Sequence, residues 1–192
     1  MTAICMVRHG ETDWNAAGRI QGSTDIPLND KGRRQAKEAG HFLKKEKWDL
    51  VIASPLSRAM ETAKIICSEM HEENILTMDC FAERGFGEAE GLTKEERAER
   101  FPDGHFPGAE PYEAFRERVM EGIDEIRRKY PSQKILLIAH GAVIKAILTS
   151  IGGEGIDTDS VLLMNACISN LQFIEEQWKI QNYNEISHLT ME

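Results

Sequence analysis

The chain has 192 residues, a formal net charge of −9, and 41% hydrophobic and 29% charged residues. That composition is ordinary for a folded globular protein, and the length suits one domain, residues 1–192, with a sizeable core. No run approaches the roughly 20 apolar residues of a membrane span, and no basic face marks a nucleic-acid surface. The acidic balance leaves room for an anionic substrate, because salt screens distant charges beyond about 8 Å and a local arginine cluster can dominate a pocket.

The N-terminus runs at once into Ala3-Ile4-Cys5-Met6-Val7 with no basic leader, so no secretory signal is expected. Five apolar residues without alternation read as a strand buried on both faces, as in a parallel sheet covered by helices. The strand stops at Arg8-His9-Gly10, and ligands bind outside the carboxyl ends of such strands. Thr12 to Pro27 reads as a loop. Asn29 or Asp30 caps the first predicted helix, whose buried stripe is Ala36, Ala39, Phe42 and Leu43. Leu50–Ala53 is the second strand. Ser54 as N-cap and Pro55 at the first helical position open a helix to about Met70, with Arg58 in its first turn.

Ile75–Phe81 is predicted as a short strand, followed by an acidic, glycine-rich stretch from Ala82 to Gly91. A short helix over Lys94–Arg100 and an irregular Pro/Gly loop over Phe101–Gly108 complete a small cap of about 82–113. His105 is the one histidine of that loop. A long helix over Tyr112–Lys129 buries Phe115, Val119, Ile123 and Ile126. Strand Lys134–Ala139 ends at His140-Gly141, a helix runs from Gly141 to Ile151, and Gly152-Gly153 closes it. Val161–Met164 reads as a strand or lead-in. Ile168–Ile174 and Trp178–Tyr183 form a hairpin around Glu175-Glu176-Gln177, whose exposed edge offers a surface for homo-oligomer formation. Cys5, Cys67, Cys80 and Cys167 form no C-x-x-C pair, which points to buried thiols and a reducing, cytoplasmic setting.

Three apolar strands therefore end at Arg8-His9, at Ser54 through Arg58, and at His140. Two arginines and two histidines on one sheet edge suit phosphoryl transfer. A phosphate monoester carries about −1.5 to −2 charge. Arginines hold its oxygens in bidentate fashion and stabilise transition-state charge. One neutral imidazole can attack phosphorus, and the other, when protonated, can donate to the oxygens. A carboxyl within Glu83 to Glu90 can protonate the leaving group.

Arg8-His9-Gly10-Glu11-Thr12 with Asn15 resembles the R-H-G-x-T-x-x-N signature of the histidine phosphatase, or phosphoglycerate mutase-like, superfamily. Gly18–Gly22 with Asp25–Leu28, Ser54–Ala59 with Thr62-Ala63, Glu83 with Gly87 and Glu90-Gly91, and His140-Gly141 resemble its later blocks, in order along nearly the whole chain. The resemblance implies a three-layer α/β/α sandwich around a mostly parallel sheet with an antiparallel edge. It implies His9 as phosphorylated nucleophile, Arg8, Arg58 and His140 as the phosphate pocket, and Glu83 as general acid and base. Asn15, Gln21, Gly22, Gly141, Arg84 and Lys94 would contact a small-molecule phosphate monoester, with no metal and no cofactor. Within the family the chain is similar to short bacterial broad-specificity phosphatases. The alternative is a phosphoglycerate mutase dependent on 2,3-bisphosphoglycerate, disfavoured because Ala98–Glu113 is short and has Arg100 but no adjacent arginine pair. A non-catalytic phospholigand-binding module is the alternative of another class. Phe86, Phe101 and Phe106 are expected to line a pocket tolerant of hydrophobic alcohols.

Overall fold

The computed structural model describes residues 1–153 and 162–190. Six strands, β1 (Ala3–Arg8), β2 (Leu50–Ala53), β3 (Ile75–Thr77), β4 (Lys134–Ala139), β5 (Ile168–Ile174) and β6 (Gln177–Glu185), form one sheet in the order β3-β2-β4-β1-β5-β6. β1 through β4 run parallel, and β5 and β6 form the antiparallel edge. Alternate side chains enter two different cores because successive residues face opposite sides of a sheet. Ile4 and Met6 join Phe115, Val119, Ile123 and Ile144 on one face, while Cys5 and Val7 join Ala39, Ala63 and Ile66 on the other. Helices α2 (Asp30–Leu43) and α3 (Ser57–Met70) cover the second face, and α5 (Tyr112–Lys129) and α6 (Gly141–Gly152) cover the first. The result is the expected three-layer α/β/α arrangement.

Two short helices complete the chain, α1 (Asp13–Ala16) and α4 (Lys94–Arg100). α1 lies inside the stretch read as loop. Its cause is a capping box in which Thr12 and Asn15 satisfy each other's backbone and side-chain groups. Thr93 and Glu96 cap α4 the same way.

Several expectations shift. Phe42 is 38% exposed and leaves the buried stripe of α2, since Leu43 and Ala39 already fill the face toward α3. α3 begins at Ser57 instead of at Pro55, and Leu56 makes no side-chain cap. Asp25 Oδ1 caps it from another segment, accepting from Ser57 N at 2.8 Å and Ser57 Oγ at 2.7 Å. The strand predicted to Phe81 stops at Thr77 and tightens into a 3₁₀ turn over Asp79–Phe81. In the 162–164 stretch the chain is irregular, and Val161 lies outside the described residues. The hairpin turns through Glu175 (φ 53°) and Glu176 (φ 62°), and Gln177 already belongs to β6. Among the described residues no helix is long and apolar enough to cross a membrane.

Candidate active site

Register brings the site together. Arg8 lies opposite Ala139 at the end of β1 and β4, and His9 N donates to Ala139 O at 3.0 Å. β2 ends one pair away, where Ser54 N donates to Ile138 O. His9 and His140 therefore leave neighbouring strands side by side, with ring centroids 5.3 Å apart and planes tilted by 58°. Gly10 makes this possible, since a Cβ there would lie 2.3 Å from Gly32 O at the start of α2.

Arg58 is buried and Arg8 half-buried, and each is partly spent on carbonyls. Arg58 Nη1 donates to Thr24 O at 2.9 Å and Nη2 to Gly22 O at 2.7 Å, while Nε has no protein partner. Arg8 Nη1 donates to Leu163 O, and its Nε is likewise buried without a partner. Burial lowers both guanidinium pKa values, and the Glu83 carboxyl opposes this. Gly141, which opens α6, packs against Arg8, where a Cβ would stand 3.4 Å from Nε.

His9 Nδ1 lies 2.7 Å from Gly10 O. A carbonyl only accepts, so Nδ1 carries the ring proton and Nε2 of the neutral ring holds the lone pair. Burial pushes the His9 pKa well below its ordinary value, and Arg8 and Arg58 push it further, against the Gly10 hydrogen bond. His140 is held neutral in the same way, by burial first and then by Arg58, His9 and Arg8. The condition under which the second histidine was expected to donate, protonation, is therefore disfavoured in this site by burial and by the two arginines.

Glu83 Oε1 accepts from Arg84 N at 2.9 Å, and Oε2 accepts from Ala142 N at 3.1 Å in the first turn of α6. Burial raises its pKa above the ordinary carboxyl value, although these two N–H groups, Arg58 and Arg8 pull it down. Raised pKa values are the mark of an acid that keeps its proton nearer neutrality.

A cavity of about 180 Å³ is lined by Arg8, His9, Asn15, Gln21, Gly22, Arg58 and Glu83. The amide oxygens of Asn15 and Gln21 are already taken. Thr12 Oγ1 lies 2.7 Å from Gln21 Oε1, and Asn165 Nδ2 donates to Asn15 Oδ1 at 3.1 Å. Both side chains therefore keep their NH₂ groups, which are donors suited to an anion. Arg19, Ile20 and Phe86 also line the cavity.

Other expected contacts fall elsewhere. Arg84 Nε donates to Glu110 O at 2.9 Å, and its guanidinium stacks on Phe86 and Tyr112. Lys94 is exposed in the first turn of α4. Neither lines the cavity, and His140 and Gly141 also stand outside its lining, behind His9 and Arg8. Phe101 and Phe106 pack on each other at 5.5 Å and leave Phe86 as the one aromatic wall. His105 is exposed in the irregular stretch after α4.

Sequence reasoning missed the supporting residues. Glu90 accepts from Ser23 N, Ser23 Oγ, Thr24 N, Thr24 Oγ1 and Phe86 N, and so pins the loop whose carbonyls hold Arg58. Asn165 Nδ2 and Ala166 N both donate to His9 O, at 3.1 and 3.2 Å. Ser54 bonds His140 instead of capping a helix. A roomier groove of about 440 Å³ lies at the opposite ends of β1 and β4, beside Ala3 and Lys134. Its walls are apolar side chains, carboxamides, two lysines and Glu46, with no arginine or histidine, so the chemistry follows the smaller cavity. Among the described residues no three His, Cys, Asp or Glu side chains gather as metal ligands.

The sequence pattern defining the histidine phosphatase superfamily (branch 1) matches residues 4–186. The chain belongs to that superfamily. Its sequence is 49% identical over 190 residues to the uncharacterized phosphatase PhoE of Bacillus subtilis, covering 99% of this chain and 98% of the relative. It is 30% identical over 208 residues to a probable phosphoglycerate mutase, GpmB, of Salmonella choleraesuis, covering 98% and 95%. Among solved structures, a phosphoserine phosphatase mutant of Entamoeba histolytica in complex with phosphoserine superposes with a TM-score of 0.86 at 28% identity, covering 99% of this chain and all of that one.

Proposed function

We propose that the chain is a phosphatase that hydrolyses small phosphate monoesters through a phosphohistidine on His9. The observation that carries this reading is the bond between His9 Nδ1 and Gly10 O, which leaves Nε2 of a cavity-lining histidine unprotonated beside Arg8, Arg58 and Glu83. Arg8, Arg58 and the NH₂ groups of Asn15 and Gln21 bind the phosphoryl oxygens. His9 Nε2 attacks phosphorus, the ester P–O bond breaks, and the leaving oxygen takes the Glu83 proton. The Glu83 carboxylate then takes a proton from water, the water oxygen attacks phosphorus, and the P–N bond breaks. Inorganic phosphate leaves, and Glu83 and His9 return to their starting states. Gly10 O bonds the Nδ1 proton throughout and stabilises the positive charge of the phosphorylated ring.

The phosphatase reading is favoured over the mutase by the cap. Holding a bisphosphorylated intermediate needs cations free to grip a second acidic group. Arg100 pairs with Glu88 at 2.8 Å, Arg97 Nη1 donates to Leu92 O, and Arg118 is engaged with Glu110, Cys80 O and Ala82 O. The cap region, about 82–113, is knit to the 19–24 loop by Gly91 N to Ile20 O at 2.8 Å and Ile20 N to Leu92 O at 3.1 Å. Substrate choice is assigned to this junction, through Arg19, Ile20 and Phe86.

The test is phosphate release in excess chelator from aryl phosphate, phosphoserine and 3-phosphoglycerate, with His9→Ala alongside. Release abolished in the variant supports the reading. Isomerisation of 3-phosphoglycerate with a bisphosphate primer, without release, supports the mutase. Neither activity, with tight phosphate binding, supports the binding module.

A further inference from the structure

We infer that Ser54 is a positioning residue that fixes the ring proton of His140 on Nδ1, so that this histidine donates to the substrate while neutral. The inference rests on the proposed function, extended by the sequence expectation that His140 belongs to the phosphate pocket.

The argument is a count of protons around one hydroxyl. Ser54 is fully buried at the end of β2. Its Oγ accepts from Leu56 N at 3.3 Å and lies 2.6 Å from His140 Nε2. A serine hydroxyl has one proton and two lone pairs. The backbone N–H of Leu56 occupies one lone pair. The hydroxyl proton then needs an acceptor, and His140 Nε2 is the one acceptor recorded for it. If Nε2 carried the ring proton instead, it would take the second lone pair and leave the serine proton buried without a partner. An unsatisfied buried hydroxyl costs roughly 1–3 kcal/mol. The balanced arrangement is therefore Ser54 O–H donating to Nε2, with the ring proton on Nδ1.

Nδ1 is the nitrogen that is buried and has no protein partner. The ring stands 5.3 Å from that of His9, and Arg8 and Arg58 act on it electrostatically. An N–H donor left free beside the nucleophile is what the phosphoryl oxygens of the proposed substrate require. An imidazolium would donate from both nitrogens, but it would have to form beside two guanidiniums. Ser54 makes the donor available without that charge. It also explains why the hydroxyl at residue 54 is not spent on capping α3, a task met by Asp25.

The experiment uses ¹⁵N-histidine-labelled full-length protein, with the His140 resonances identified by comparison with His140→Gln. The expected result is Nδ1 protonated and Nε2 unprotonated in the wild type at neutral pH. In Ser54→Ala the two His140 nitrogens shift toward a mixture of tautomers or to the Nε2-protonated form, and kcat falls on the order of 10- to 100-fold, by analogy with the loss of partners that orient metal-bound histidines. Ser54→Cys, close in size and with a weaker S–H donor, gives an intermediate tautomer ratio and intermediate kcat. Thermal melts of both variants separate this from unfolding. The inference is overturned if wild-type His140 carries its proton on Nε2, or if Ser54→Ala leaves the tautomer unchanged. Full turnover by His9→Ala would overturn the phosphohistidine reading, and the wild-type ¹⁵N resonances decide the tautomer whatever that variant does.

Discussion

Replacing His140 with glutamine is expected to change the slope of the pH–stability curve as well as its level. His140 is 0% and His9 2% exposed, and both are held neutral well below the ordinary histidine value of 6.5. As pH falls through that value, the unfolded chain binds a proton at each position that the native state refuses. Stability therefore falls as pH falls, with a limiting slope of about 1.4 kcal/mol per pH unit for each histidine. Glu83 has the opposite sign. Its raised pKa makes the native state hold a proton that the unfolded chain has released, so its share of stability declines as pH rises above the ordinary carboxyl value of 4.5. The wild-type slope is thus a partial cancellation, and the variant isolates one component. Below about pH 6, the His140→Gln curve should be shallower than wild type by about 1.4 kcal/mol per pH unit, whatever its offset. Urea unfolding from about pH 5 to 7.5 in phosphate-free buffer measures this; phosphate must be absent because a ligand of the native state would add its own stabilisation. Parallel curves would mean that His140 titrates alike in both states, and would refute the argument that a dry, arginine-lined site keeps it neutral. His9→Gln should behave similarly, and the double variant should depart from additivity because the rings are neighbours.

Glu90→Ala should lower stability by roughly 2–3 kcal/mol, since hydrogen bonds to a charged acceptor are worth about 1.5–3 kcal/mol, and should weaken inhibition by inorganic phosphate, measured in steady-state assays. Gly22→Ala should do the same more severely, because the residue has φ +56° and a Cβ would lie 2.2 Å from Glu90 Oε1; a normal phosphate inhibition constant in a folded variant would contradict this. Changing Glu175-Glu176 to Asn-Gly should raise stability by about 1 kcal/mol in chemical denaturation, because both residues hold positive φ in a two-residue hairpin turn that favours those types. Glu83→Gln should remove the alkaline limb of the kcat/KM profile that reports loss of the acid's proton. Arg84→Ala should change KM for small esters far less than Arg58→Ala, since Arg84 does not line the cavity and acts on it only through its stacking on Phe86.

The parts legible in the sequence were those with a period or an abrupt stop. The β1, β2 and β4 runs are buried on both faces, so they read as continuous apolar stretches that end where a polar cluster begins. α5 carries its core stripe at helical spacing, and Phe115, Val119, Ile123 and Ile126 are all buried. The placement of Arg8, His9, Arg58 and His140 at one sheet edge was readable for the same reason, because they interrupt those patterns. Phe42 failed because helical spacing gives a face and not its width. Ser54 failed because Ser-Pro is a strong local cap signal, and a long-range bond to His140 overrode it. Arg84 and Lys94 stand outside the cavity lining, because a charge near a site in sequence carries no direction. The bonds of Asn165 to His9 and Asn15 span 156 and 150 residues and leave no local pattern.

Those long-range bonds also account for how Arg58 can be buried and Arg8 half-buried at one sheet edge. Burying an unpaired ion in a protein costs several kcal/mol even after relaxation. Strand and helix carbonyls are committed to their own ladders, so regular structure has few acceptors to offer a guanidinium. The acceptors here come from irregular chain: Gly22 O and Thr24 O for Arg58, and Leu163 O for Arg8. Irregular chain must in turn be held in place, and each segment has its own clamp. Glu90 ties 23–24 to the cap, while Asn165 and Ala166 tie the segment after Leu163 to His9 O. Each arginine is thus satisfied on one side by a clamped loop, and its remaining donors are left for an anion. Weakening either clamp loosens the acceptors before it disturbs the sheet, so such variants should lose anion affinity at temperatures where the fold, read by far-UV dichroism, is intact.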